Sequence, residues 1–265
     1  TPRSSSAASD VYKRQKVAVL IKQVPDTTAK VGIISGSVDE GAISKWSISP
    51  YDEYALESAL SLQSGSGATV VAITLGPERS SKSLIDAAAV GADELLHVVH
   101  DGALGSLSLQ KALSEAVTRV GAEVVLVGKQ AADTNSGSTG PGVAKILNYS
   151  CVGLVSRIEA GSDGFEATRS TPSGMERVSV KLPCVFAFDK GDVELRRPNV
   201  RGIMMAKKKP IERITLADLG VDNTGEGVST TSVDYPPEKP EGQRFEGPDS
   251  AAEVAIKLRE EANVI

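Results

Sequence analysis

The sequence predicts a doubly wound, mostly parallel α/β sheet with a β-meander at one edge and an extended C-terminal arm. Three observations carry this. Short runs rich in apolar residues recur at 17–21, 68–75, 94–99 and 123–127, as expected of strands buried on both faces. Stretches with apolar residues at helical spacing separate or follow them. Strand and helix thus alternate, which builds a parallel sheet with helices on both faces through right-handed crossovers.

Each element follows in order. Residues 17–21 (VAVLI) form the first strand. A polar Gly- and Ser-containing stretch comes next and is expected to make a hairpin-like excursion through 31–34 and 43–48. Ser49-Pro50 opens a helix with Tyr54, Leu56, Ala59, Leu60 and Leu62 on its apolar face, and Ser64-Gly65 is expected to end it. Residues 68–75 (ATVVAITL) form the second strand, closed by Gly76-Pro77. A helix over 80–90 stops at Gly91. The third strand covers 94–99. The third helix, 107–120, repeats Leu109, Leu113, Ala116, Val117 and Val120 at helical spacing. The fourth strand is 123–127 (EVVLV), and a helix runs from Pro141 to about Leu147. Beyond Val152 the texture changes to short strands at 152–160, 165–169, 177–181 and 185–188, a meander on the sheet edge. Residues 221–248 are extended, with Pro236, Pro237, Pro240 and Pro248, and bury too little to fold alone. A last helix covers 250–262. Three segments result: 1–15, a Ser-rich stretch that reads as a transit peptide or as a cloning remnant; 16–220, the α/β body; and 221–265, the arm.

Composition narrows the function. The chain of 265 residues carries a net charge of −5 and a pI near 5.3. That balance does not suit a nucleic-acid partner, whose phosphates require Lys and Arg. Two cysteines, Cys151 and Cys184, form no CxxC pair and suit a reducing compartment. His97 and His100 lack the Cys or carboxylate company of a metal site, so no metal is expected. No apolar run approaches the ~20 residues that span a bilayer.

Chemistry concentrates in one loop, GKQAADTNSGSTGP at 128–141. It follows a buried strand and enters a helix, the place where open α/β sheets bind ligands. Gly137 and Gly140 permit close backbone approach. Ser136, Ser138 and Thr139 offer hydroxyls, and Pro141 can start a helix whose free N–H groups suit a phosphate. This is neither GxGxxG nor a Walker A loop, and two readings stand: a phosphate cradle, or a polar loop capping a helix. No nucleophile–base arrangement stands out. Asp52 and Glu53 fit the ordinary preference for acids in a helix's first turn. The chain therefore reads as a binder or carrier, not a hydrolase. Lys207, Lys208 and Lys209 follow the apolar candidates Val200, Ile203 and Met204, either as a solvated face or as a docking surface for a partner.

Four segments, in order and spacing, resemble the beta subunits of electron-transfer flavoproteins over nearly all of 16–265: KVAVLIKQVPD at 16–26, SPYDEYALESAL at 49–60, VLVGKQAAD at 125–133 with STGP at 138–141, and RRPNVRGIMMAKKKPIE at 196–212 followed by ADLGVD at 217–222. The resemblance implies an adenine nucleotide alpha-hydrolase-like, Rossmann-like fold. It implies a heterodimer with an alpha subunit that holds most of one FAD, and a structural AMP in the beta subunit. Carried across, the nucleotide site takes Leu20, Ser49, Pro50, Tyr51, Asp52 and Leu75. It also takes the loop Gly128, Lys129, Gln130, Ala131, Ala132, Asp133, Thr134, Asn135, Ser136, Gly137, Ser138 and Thr139. Tyr51 is expected near the flavin. The segment near 194–210 resembles the family's recognition loop, with Val200 as the anchor in a partner flavin dehydrogenase and the lysines facing acidic partner surface. The acceptor would be a quinone reductase or similar protein. The setting would be bacterial cytoplasm, or the mitochondrial matrix in a eukaryote, without membrane insertion. The arm with its terminal helix reads either as a flexible tail or as a docking element, and in this family frame it would dock on the alpha subunit.

Three departures qualify this. The family's Asn-Gln-Thr is Gly137-Ser138-Thr139 here, so backbone N–H groups must replace two amides. The anchor Leu is Val200, and the tyrosine-containing run before it is Arg196-Arg197-Pro198; both imply a dehydrogenase partner different from the best-known acyl-CoA enzymes. Relatives that bind a second FAD in place of AMP and bifurcate electron pairs are one alternative. A stand-alone adenine-nucleotide-binding module is another.

Overall fold

A computed structural model describes residues 15–161, 164–223, 230–238 and 241–264. Residues 1–14 of the expected N-terminal segment and Pro240 of the arm lie outside the described residues.

In chain order the elements are β1 (Lys16–Leu20), β2 (Gln23–Pro25), β3 (Gly32–Ile34), β4 (Ser37–Asp39), β5 (Trp46–Ile48), α1 (Pro50–Ser66), β6 (Thr69–Gly76), α2 (Ser81–Val90), β7 (Glu94–Val99) and α3 (Ser106–Val120). There follow β8 (Val124–Gly128), α4 (Thr139–Leu147), β9 (Ser150–Ala160), β10 (Phe165–Thr171), β11 (Gly174–Val180), β12 (Cys184–Phe188), α5 (Val200–Ala206), β13 (Glu212–Thr215) and α6 (Ala251–Glu260). Among the described residues, nine strands make one sheet in the order β11-β10-β9-β12-β8-β1-β6-β7-β13. Every pairing from β9 to β13 is parallel, and β9, β10 and β11 pair antiparallel. The doubly wound class is the one expected.

Strand alternation sends side chains to both faces, and both faces are covered. Val17, Val19, Val70, Ala72, Val124 and Leu126 pack with α1 and α2 on one side. Ala18, Leu20, Val71, Ile73, Val125 and Val127 pack with α3 and α4 on the other. This double burial explains why these strands are continuous apolar runs. It also fixes their register, since a one-residue slip would exchange the two faces.

The structure alters four details. The hairpin excursion consists of two nested pairs: β3 joins β4 through Ser35-Gly36, and β2 joins β5. Ser35 and Gly36 both have positive φ, 51° and 75°, as a tight two-residue turn requires. Helix α1 continues past Gly65 to Ser66 and stops at Gly67, which takes the left-handed conformation that a C-terminal cap needs. The meander proper has three strands, because β12 returns to lie between β8 and β9 inside the sheet. Finally, Glu212–Thr215 adds β13 beside β7 and closes the opposite edge.

Candidate functional site

The chain runs from β1 outward through β6 and β7, then crosses back to β8 on the other side of β1. The loops leaving β1 and β8 therefore diverge, and a crevice opens at the carboxyl ends of these two strands. It holds a cavity of about 330 Å³.

Asp52 fastens the crevice. It lies in the first turn of α1, 4% exposed. Its Oδ2 accepts from the backbone N of Lys22 at 2.8 Å, and its Oδ1 from that of Gly128 at 2.9 Å. One carboxylate thus ties the ends of β1 and β8 together. Burial pushes its pKa up to about 7, against the two N–H donors and Lys22, which favour the charged form. Gly128 is required at this point. A Cβ there would stand 2.5 Å from Asp52 Oδ1 and 2.9 Å from Asp52 N.

Ser49 precedes α1 but does not cap it with its side chain. Its Oγ instead accepts from Ala132 N at 3.3 Å, holding the 128–139 loop against the helix. Lys22 reaches the same loop through Asp133, at 2.7 Å. Lys129 is held twice: its N donates to Phe188 O at 2.6 Å, and its ammonium lies 2.9 Å from Asp189. The same ammonium sits 4.8 Å from the centre of the Tyr51 ring. The Asp189 carboxylate, chiefly, raises the Lys129 pKa. Gln130 donates to Asn135 across the loop at 2.7 Å. Gly137 has φ 66°, a conformation glycine adopts without strain. Gly140 brings α4 onto β8, since a Cβ there would lie 2.9 Å from Val127 Cγ1.

The cavity has two kinds of wall. Leu20, Leu75, Leu104, Leu109, Leu113 and Val127 make one apolar. The other is made by Ser106, Ser136, Gly137, Ser138 and Thr139, together with Gln130 and Thr134. Helix geometry leaves the first N–H groups of α4, those of Thr139 and Gly140, without partners in the helix. Ser138 Oγ lies 3.3 Å from Ser106 Oγ, and Gln110 donates to Ser138 O at 3.3 Å and to Ser106 Oγ at 3.1 Å.

Of the residues expected here, Leu20, Asp52, Leu75, Gly128, Lys129, Gln130, Ala131, Thr134, Ser136, Gly137, Ser138 and Thr139 line the cavity. Ser49, Pro50, Tyr51, Ala132, Asp133 and Asn135 stand behind that lining or beside it. Ile21, Lys22, Leu104, Ser106, Leu109 and Leu113 also line it and escaped the sequence reading. Ile21 and Lys22 were accessible to the rule that ligands sit at strand carboxyl ends, because they directly follow β1. His97 is in the core, with Nε2 3.1 Å from Gly76 O. Among the described residues, no group of three or more His, Cys, Asp or Glu could hold a metal ion. No helix there is long and apolar enough to cross a membrane.

The model of the electron transfer flavoprotein domain matches residues 42–219. The electron transfer flavoprotein subunit beta of Bacillus subtilis is 33% identical over 255 residues, covering 93% of this chain and 98% of that protein. The same-named subunit of Bradyrhizobium diazoefficiens is 35% identical over 254 residues, covering 94% and 100%. That of Homo sapiens is 32% identical over 253 residues, covering 92% and 97%. The chain belongs to the electron transfer flavoprotein beta-subunit family. Within an electron transfer flavoprotein frame, the domain match takes in α1, the cavity loop, α5 and β13. The longer alignments add most of the remaining chain.

The second expected site is α5. Asn199 caps it, accepting from Gly202 N at 2.8 Å. Val200, Ile203 and Met204 face solvent, as do Lys207 and Lys208. Met205, not among the expected residues, joins them. Lys209 turns inward and donates to Ala92 O at 2.5 Å.

Proposed function

We propose that this chain is the beta subunit of a heterodimeric electron-transfer flavoprotein. It relays electrons from a flavin dehydrogenase, such as an acyl-CoA dehydrogenase, to a quinone reductase or similar acceptor, and it holds AMP in the switch-point cavity. The observation that carries this reading is that cavity, in a chain of this family.

The residues suit AMP. The leucine wall offers an adenine its apolar surface. The hydroxyls of Ser106, Ser138 and Thr139 and the open first turn of α4 offer a phosphate its donors. A volume of about 330 Å³ lies at the small end of ligand cavities, ~300–1,000 Å³, and suits a mononucleotide. Gly137 and Ser138 shift phosphate contact from side-chain amides to the backbone. Loop residues Ala132, Asp133 and Asn135 keep that backbone in place.

FAD is shared with the alpha subunit and, when bound, supplies the electron-carrying chemistry. This chain's part is positional: Pro50 and Tyr51 begin α1 beside Lys129, on the side proposed to face the flavin. Helix α5, with Val200, Ile203 and Met204 and the cations Lys207 and Lys208, is proposed as the dehydrogenase-docking surface. The arm is proposed to dock on the alpha subunit. In support, α6 has no buried residue, although Val254, Ile256 and Leu258 give it apolar content. The working compartment is proposed to be the cytoplasm, or the mitochondrial matrix in a eukaryote.

The test is to co-express the chain with its alpha subunit, denature the purified complex and quantify released nucleotide. One FAD and one AMP per heterodimer is the expected result. Two FAD and no AMP would move the protein to the bifurcating class. A monomer that binds ATP tightly and ignores every alpha subunit would make it a stand-alone nucleotide module.

A further inference from the structure

A carboxylate–guanidinium fork joins α1 to the segment before α5, and the cavity makes no use of it. Glu57 lies in α1 with its side chain 9% exposed. Arg196 donates to it through Nε at 3.0 Å to Oε1 and 2.9 Å to Oε2, through Nη2 at 2.7 Å to Oε1, and through its backbone N at 3.0 Å to Oε2. One carboxylate therefore fixes both the side chain and the main chain at Arg196.

From there the chain has little freedom. Asn199 caps α5 three residues on. Gly202 lies so close to α2 that a Cβ would stand 2.5 Å from Ala89 O. Ala206 is buried against the body, and Lys209 is fastened to Ala92. The inner side of α5 is thus fully committed. Its outer side presents Val200, Met204 and Met205 at 75%, 61% and 63% exposure, with Arg201, Lys207 and Lys208 exposed around them.

An ion pair with a buried carboxylate contributes little net stability compared with apolar side chains of the same volume; its distinctive contribution is direction. An apolar patch ringed by cations fits a protein surface with an apolar pocket and an acidic rim. We infer that the Glu57–Arg196 fork is a positioning device, setting the pose of α5 so that Val200, Met204 and Met205 enter such a pocket together. This rests on the docking role proposed for α5. It adds that selectivity for the partner depends on the ion pair that holds α5, and not only on the apolar side chains that α5 presents.

The test uses the complete heterodimer in three forms: wild type, Arg196→Lys, and the double variant Glu57→Leu/Arg196→Met. Arg196→Lys keeps the charge and loses the fork. The double variant removes the pair without stranding a charge. The measurements are thermal midpoint, FAD and AMP content, amide exchange in Val200–Ala206, and kcat and KM for reduction by a purified acyl-CoA dehydrogenase with its substrate.

The double variant is expected to keep its midpoint within ~3 °C and to keep its nucleotides. Exchange in α5 should quicken about tenfold, and KM should rise about fivefold at unchanged kcat. Arg196→Lys should fall between the two. Unchanged α5 exchange in both variants would overturn the inference, as would a KM that stays at the wild-type value. If the double variant does not fold, Arg196→Lys decides alone by the same criteria. If the wild type takes no electrons from the dehydrogenase, that reading of its partner fails, while amide exchange still decides whether the fork positions α5.

Discussion

Asp52 concentrates the site's chemistry in one side chain. Its folded pKa, about 7, stands above the ordinary carboxylate value near 4. The folded chain therefore binds more protons than the unfolded chain between those values, so this group's contribution to stability falls as pH rises from about 4 to about 7. Three units at ~1.4 kcal/mol each set a ceiling on the order of 4 kcal/mol. Asp52→Asn removes the titration but turns an amide N–H toward one of two backbone donors, at a cost of about 1–3 kcal/mol. The variant should be less stable than wild type at pH 4, and by pH 7 that gap should close or reverse. Paired urea titrations at the two pH values measure this, and a gap independent of pH would refute it. Gly128 is the second critical residue. Gly128→Ala drives a methyl into Asp52, which should cost about 1–3 kcal/mol and loosen the clasp between β1 and β8. A lower thermal midpoint with reduced AMP content is the expected outcome.

Among the elements, β13 and β12 show where the sequence speaks and where it does not. β13 (ERIT) has one residue, Ile214, buried at 5% exposure. An edge strand paired on one side needs no apolar run, so nothing in its local pattern distinguishes it from a charged loop. Its contribution is nonetheless measurable. Ile214→Ala should cost about 2 kcal/mol, the low end for such truncations, and should quicken amide exchange in β13 while leaving AMP content unchanged. β12 is the opposite case. CVFAF is buried at every position, the mark of an interior parallel strand, whereas β9 and β11 alternate or stay exposed. That contrast was legible, and proximity in sequence to the meander obscured it. The four central strands and their helices were legible because two-sided burial writes itself as unbroken Val, Leu and Ile. The cavity was legible on the β8 side, where glycines and hydroxyls cluster. Ser106 and Leu104 were not, because a loop after β7 reaches the cavity only through the crossover.

At the scale of the molecule, the body and the arm follow different rules. The body has apolar clusters on both sheet faces, while α6 buries nothing. Deleting residues 241–265 should therefore leave the thermal midpoint of the isolated chain within ~2 °C while weakening its association with the alpha subunit. A large drop in the midpoint would mean that α6 stabilises the body. Across the body, the nucleotide loop is completed from a distant part of the chain. Lys129 N donates to Phe188 O and its ammonium meets Asp189, and both partners follow the whole β9–β11 excursion. During synthesis, α1 and the strands β1, β6, β7 and β8 emerge first, and the partners that hold Lys129 in the loop follow only with β12, which lies between β8 and β9. A nascent chain stalled before Phe188 would carry every residue of that loop and still lack both partners that hold Lys129, so the loop reaches its final shape only late in synthesis.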